Sequence, residues 1–102
     1  MLTSKERAIL RALAAGADTI VHVGKGGVTQ PIIAQTADAL RARELVKGRA
    51  LETSLLSARE ACDILAAACE AEPVQVIGSK FVLYKRNPKE PKIALRENKK
   101  AR

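Results

Sequence analysis

A run rich in β-branched residues, Thr19-Ile20-Val21-His22-Val23, passes without a spacer into Gly24-Lys25-Gly26-Gly27 and then into a helix start around Thr29 and Pro31. β-Branched side chains suit a pleated strand. Thr29 is a residue type that caps helices, and proline is tolerated in a first helical turn because its missing N–H has no helical partner there. Strand, glycines and helix in that order make a β-α unit, whose crossover returns to a parallel strand. No other stretch limits the fold as tightly.

The flanking sequence extends the unit. Thr3 with Glu6 is a capping box; it opens a helix that runs to about Ala15, with Ile9, Leu10, Leu13 and Ala14 inward, and stops at Gly16. The helix after Thr29 has Ile33, Ala37 and Leu40 on one side and Arg41 and Arg43 in its last turn. Residues 45–51 read as a second strand, weakened by Gly48. Ser57 and Glu60 form a second capping box before Ala61, Ile64, Leu65, Ala68 and Cys69, the spacing of a core-facing helix. Residues 74–77 and 81–85 read as a hairpin joined through Gly78-Ser79-Lys80. The order α-β-α-β-α-β-β predicts an α/β fold, a two-layer sandwich on a four-stranded mixed sheet, over residues 1–86.

The glycine loop carries the chemistry. Glycines let backbone amides approach a ligand, and the helix behind them offers unpaired donors and the positive end of its dipole. Lys25 adds a full charge at the tip. This is a backbone clamp like the GxxG loop of KH domains. A mononucleotide P-loop needs GxxxxGK[ST], and a dinucleotide fingerprint needs glycine where Thr29 stands, so both are rejected. The competing reading is a tight turn with no ligand. Lys47 and Arg49 alternate on the second strand and share a sheet face, where they extend the clamp if helices leave that face open. Arg41 and Arg43 complement a helix C-terminus.

Catalysis finds little support. His22 is the one histidine, and a lone strand histidine is more often packed or half exposed than catalytic. No nucleophile–histidine pair or carboxylate pair is evident. Cys62 and Cys69 sit on one helix at a spacing that forbids a normal disulfide, and no cysteine–histidine cluster suggests zinc. They read as reduced packing residues. No cofactor, metal or small-molecule substrate is implied.

Charge points to an anionic partner. The formal net charge is +7. Residues 1–84 hold ten Lys and Arg against nine Asp and Glu, whereas residues 85–102 hold eight against two. A basic, extended tail over residues 87–102 on a nearly neutral domain suits phosphate, and it equally suits solubility alone. Phe81 and Tyr84 are the only aromatic residues, so base stacking is not the main source of any affinity for nucleic acid. Without an apolar run for a signal peptide or membrane span, the chain is expected in the cytoplasm. Without a coiled-coil pattern, it is expected to be a monomer.

The segments Val23-Gly24-x-x-Gly27-Val28-Thr29, Arg43-Glu44-Leu45-Val46-Lys47, Val74-Gln75-Val76-Ile77-Gly78 and Val82-Leu83-Tyr84 resemble the CRM domain (chloroplast RNA splicing and ribosome maturation), in its stand-alone bacterial, YhbY-like form. The resemblance spans roughly residues 2–95. It implies a sheet similar to that of the C-terminal domain of translation initiation factor three. It also implies RNA binding through the loop Gly24, Lys25, Gly26 and Gly27, with Lys47 beside it, and association with precursors of the large ribosomal subunit. Thr29 and Arg49 complete the expected RNA-binding set. The rival expectation is a protein-interaction module whose basic surface is incidental, and a weaker one is DNA binding.

Overall fold

The structure, a computed structural model, describes residues 2–87 and Ile93. The elements follow the expected order: α1 (Ser4–Ala15), β1 (Thr19–Val23), α2 (Gln30–Arg43), β2 (Leu45–Ala50), α3 (Ala58–Cys69), β3 (Glu72–Ile77) and β4 (Lys80–Tyr84). Both predicted capping boxes close. Glu6 N–H donates to Thr3 Oγ1 at 3.1 Å, and Glu60 N–H donates to Ser57 Oγ at 3.1 Å, with each glutamate answering its cap residue's amide.

The four strands form one mixed sheet in the order β1-β2-β4-β3. β1 and β2 pair in parallel, while β4 runs antiparallel to both of its neighbours. The second crossover therefore skips a place, because β4 inserts between β2 and β3. Burial explains the choice. Phe81 to Tyr84 are all buried, as a central strand requires, whereas Pro73 suits an edge that has fewer ladder bonds to lose.

Helices lie on both faces of the sheet. α2 and α3 cover one face with Val21, Val23, Leu40, Val46, Leu65, Phe81 and Leu83 in the core between them. α1 lies on the other, where Leu10 and Ala14 meet Val74, Val82 and Tyr84. The three helices and four-stranded mixed sheet are those of the α/β fold expected from sequence, with α1 packed on the face opposite α2 and α3. α1 covers only part of its face, and Leu13 stays 48% exposed rather than turning inward.

α3 is rotated from its expected phase. Its buried stripe is Ala58, Ala61, Cys62, Leu65, Ala66 and Cys69, while Ile64 and Ala68 face outward. Small side chains let this helix sit close to the sheet. Both cysteines are buried and free. Burial pushes the Cys62 thiol up to about 11, with the Asp63 carboxylate adding to the effect and Arg59 opposing it.

Glu44 ends α2 in the left-handed region at φ 66° and is fully buried. Its carboxylate accepts N–H bonds from Asn87 at 2.6 Å and Ile93 at 2.7 Å, and Ile93 packs against the α1-side cluster. The rest of the expected basic tail, residues 88–92 and 94–102, lies outside the described residues. Both sheet edges receive a side-chain donor from a neighbouring helix. On β3, Arg7 Nη1 donates to the carbonyls of Pro73 at 2.7 Å and Val74 at 3.1 Å. On β1, Gln35 Nε2 donates to the carbonyl of Ile20 at 3.1 Å.

Candidate nucleic-acid interface

Residues 24–27 form a tight turn in which Gly27 N–H donates to the Gly24 carbonyl at 3.0 Å. Lys25 and Gly26 make its exposed tip. Only Gly27 has a backbone reason to be glycine, since its φ of +74° strains any L-residue. Gly24 and Gly26 have ordinary φ. A β-carbon on Gly24 would lie 3.6 Å from Leu51 and Thr53 side-chain atoms, and one on Gly26 would lie 3.6 Å from Thr29 Cγ2. Those are ordinary contacts, so the fold does not demand glycine at either place.

The loop sits at the end of the sheet where β1 and β2 finish and where α2 and α3 begin. Leu51 N–H donates to the Val23 carbonyl at 2.8 Å, which carries the ladder past both strands. The segment after β2 buttresses the turn, with Leu51 and Thr53 beside Gly24 and Leu56 beside Gly27. Ser54 holds that segment through bonds with Leu56 N–H and the Leu56 carbonyl. The two helix starts differ. Ser57 and Glu60 close that of α3, whereas Thr29 occupies the cap position of α2 and bonds no amide with its side chain. Ile33 N–H reaches the Thr29 carbonyl at 3.0 Å, Pro31 has no N–H, and the amides of Gln30 and Ile32 receive nothing from the Thr29 hydroxyl.

The other candidate residues divide. Lys47 and Arg49 share a face, as alternation requires, and it is the α1 face. Lys47 Nζ donates to the last-turn carbonyl of Ala14 at 3.2 Å and is partly buried. Arg49 lies one step nearer the loop and is half-buried, with Nε buried and unpartnered. His22 is exposed on the same face, opposite Arg49. Arg41 pairs with Asp38 on the surface. The sequence reading assigned nothing to Lys80. The pairing of Arg49 with Lys80 brings this cation to the same face, and the hairpin turn before it was the available signal.

Among the described residues, no group of three His, Cys, Asp and Glu side chains comes together to hold a metal. Among them too, no helix is long and apolar enough to cross a membrane. A groove of about 370 Å³ between Arg7, Arg59 and the β3 edge shares no lining residue with the glycine loop.

Known proteins are similar to this chain in sequence and fold. The chain is 38% identical over 95 residues to "Probable RNA-binding protein YqeI" of Bacillus subtilis, covering 93% of this chain and 99% of that one. It is 30% identical over 94 residues to an RNA-binding protein of Haemophilus influenzae, covering 92% and 94%. The solution structure of the hypothetical protein SAV1595 from Staphylococcus aureus superposes with a TM-score of 0.72 at 38% identity, covering 92% of this chain and all of that one. The family model of the CRS1 / YhbY (CRM) domain matches residues 2–85. With that match over nearly all of the folded part, the chain belongs to the CRS1 / YhbY (CRM) domain family.

Proposed function

We propose that this protein binds RNA by clamping the sugar-phosphate backbone with Gly24, Lys25, Gly26 and Gly27, and that it acts in assembly of the large ribosomal subunit. The observation that carries the loop's role is the ordinary geometry of Gly24 and Gly26. Neither the backbone nor the packing of the free protein requires glycine there, so the missing side chains are best explained by a partner that comes close to the main chain. Lys25 supplies charge, and the start of α2 supplies amides that Thr29 leaves uncapped. Relatives described as RNA-binding proteins support RNA as that partner. The ribosomal role rests on the family resemblance. On this reading the protein works in the cytoplasm, as a monomer, without cofactor or catalysis.

Fluorescence anisotropy with fragments of large-subunit ribosomal RNA tests it. Wild type is compared with Lys25→Glu, Gly26→Asp and a chain truncated after Leu95, across a salt series. The two loop variants are expected to lose most of the binding while the truncated chain keeps it. For single-stranded RNA, log K should fall with log salt by about 0.7 per phosphate neutralised. If only truncation abolishes binding, the domain is a protein-interaction module with an adhesive tail. A complex indifferent to salt counts against a phosphate clamp.

A further inference from the structure

Cross-strand pairing sets four side chains in a line at the loop end of the sheet: His22 on β1, Arg49 on β2, Lys80 on β4 and Ile77 on β3. Directly paired residues point to the same face, and here it is the face that α1 covers only in part. α1 packs on Val74, Val82 and Tyr84, and the Lys47–Ala14 bond marks where its last turn reaches the sheet. The line lies one step beyond Lys47, toward the loop. His22 and Lys80 are exposed, and so is Ile77 at 64%. None of the four is acidic, and among the described residues none of the three polar members is paired with a carboxylate. The buried, unpartnered Nε leaves Arg49 short of acceptors in the free protein.

We propose that an RNA strand leaving the glycine loop continues along this line, with its phosphates on His22, Arg49 and Lys80 and a ribose or base edge against Ile77. The inference rests on the RNA reading of the loop and adds a second contact surface to it. Continuity comes from β1 itself. Gly24 follows His22 at the alternate position, so the absent side chain of Gly24 lies on the face that carries the line. The Leu51–Val23 bond keeps the ladder intact to that point. The line crosses three interstrand spacings of about 4.8 Å each, room for an extended strand beyond the nucleotides held by the loop. Donors aimed at phosphates read backbone rather than sequence, so the extension adds affinity with little base preference.

The test compares oligoribonucleotides of about four nucleotides, the span a GxxG loop clamps in KH domains, with ones of about ten. The protein is the full chain carrying His22→Ala with Lys80→Glu, both at exposed positions, with thermal unfolding as the check on folding. Wild type should bind the longer RNA more tightly than the shorter. The double variant should lose about tenfold on the longer RNA, with a shallower salt slope, and nothing on the shorter. Unchanged affinity for the longer RNA, or equal losses at both lengths, overturns the line. Gly26→Asp, measured alongside, should weaken both lengths; if it weakens neither while the double variant still loses the longer RNA, the line stands and the loop reading fails. Wild type binding neither length ends both.

Discussion

The ring of Phe81 lies against the bare backbone of Gly48, its cross-strand partner. A β-carbon on Gly48 would stand 2.5 Å from Phe81 Cζ, 2.7 Å from Cε1 and 3.1 Å from the Val21 carbonyl oxygen. Glycine in a strand usually weakens it, yet here it makes room for the largest fully buried side chain of the described residues. Gly48→Ala should therefore destabilise by about 1–3 kcal/mol through overpacking. Urea unfolding of Gly48→Ala, Phe81→Leu and the pair checks this. The double variant should recover part of the loss, since the smaller side chain vacates the space.

The helix starts make a paired prediction. Ser57→Ala should cost about 1 kcal/mol, because its hydroxyl accepts the Glu60 amide. Thr29→Ala should leave stability almost unchanged, because Thr29 makes no side-chain cap. Thermal melts measure the difference. On the RNA reading, Thr29→Ala weakens RNA binding while the melt stays put.

Glu44 governs where the chain goes after β4. Removing its carboxylate with Glu44→Ala deprives the Asn87 and Ile93 amides of their acceptor. A loss of about 1–3 kcal/mol is expected from the buried site. Hydrogen exchange gives the sharper readout: the Ile93 amide should exchange faster in the variant, and no change would show that this bond does not hold the segment.

Cys62 sets an alkaline limit. Its thiol is raised from 9.0 to about 11 by burial first and Asp63 second. Between those values the unfolded chain releases the proton while the folded one keeps it, so stability falls as pH rises from about 9 toward 11. Chemical denaturation at a series of alkaline pH values should show that decline, and Cys62→Ala should make it shallower without abolishing it, because burial also raises the Cys69 thiol and the Tyr84 hydroxyl.

Much of this was legible because local signals agreed. Thr3 with Glu6 and Ser57 with Glu60 marked two helix starts, and the run from Thr19 to Gly27 marked the β-α unit, all from contacts a few residues apart. What escaped depended on partners distant in the chain. Ile64 was expected inside α3 from its place in the spacing Ala61, Ile64, Leu65, Ala68 and Cys69, but packing on the sheet turns Ala58, Cys62 and Ala66 into the inner stripe and leaves Ile64 outside. Lys47 reads as a free charge until the last turn of α1 brings the Ala14 carbonyl over it. The order β1-β2-β4-β3 was written in Pro73 and in the apolar run from Phe81 to Tyr84, a signal of edge and centre that spacing alone does not convey.

The donors on the two sheet edges bear on what happens when many copies gather. If the RNA reading holds, molecules lined up along one polyanion meet at high local concentration, and an open strand there is a template for adding the next molecule's strand. At the Ile20, Pro73 and Val74 carbonyls that position is already taken, by Gln35 and Arg7 of the same chain. A newcomer's amides have to displace an intramolecular bond before they can register. Crowding on a shared scaffold is thereby steered away from fibre-like growth, and the scaffold is free to set the spacing between copies.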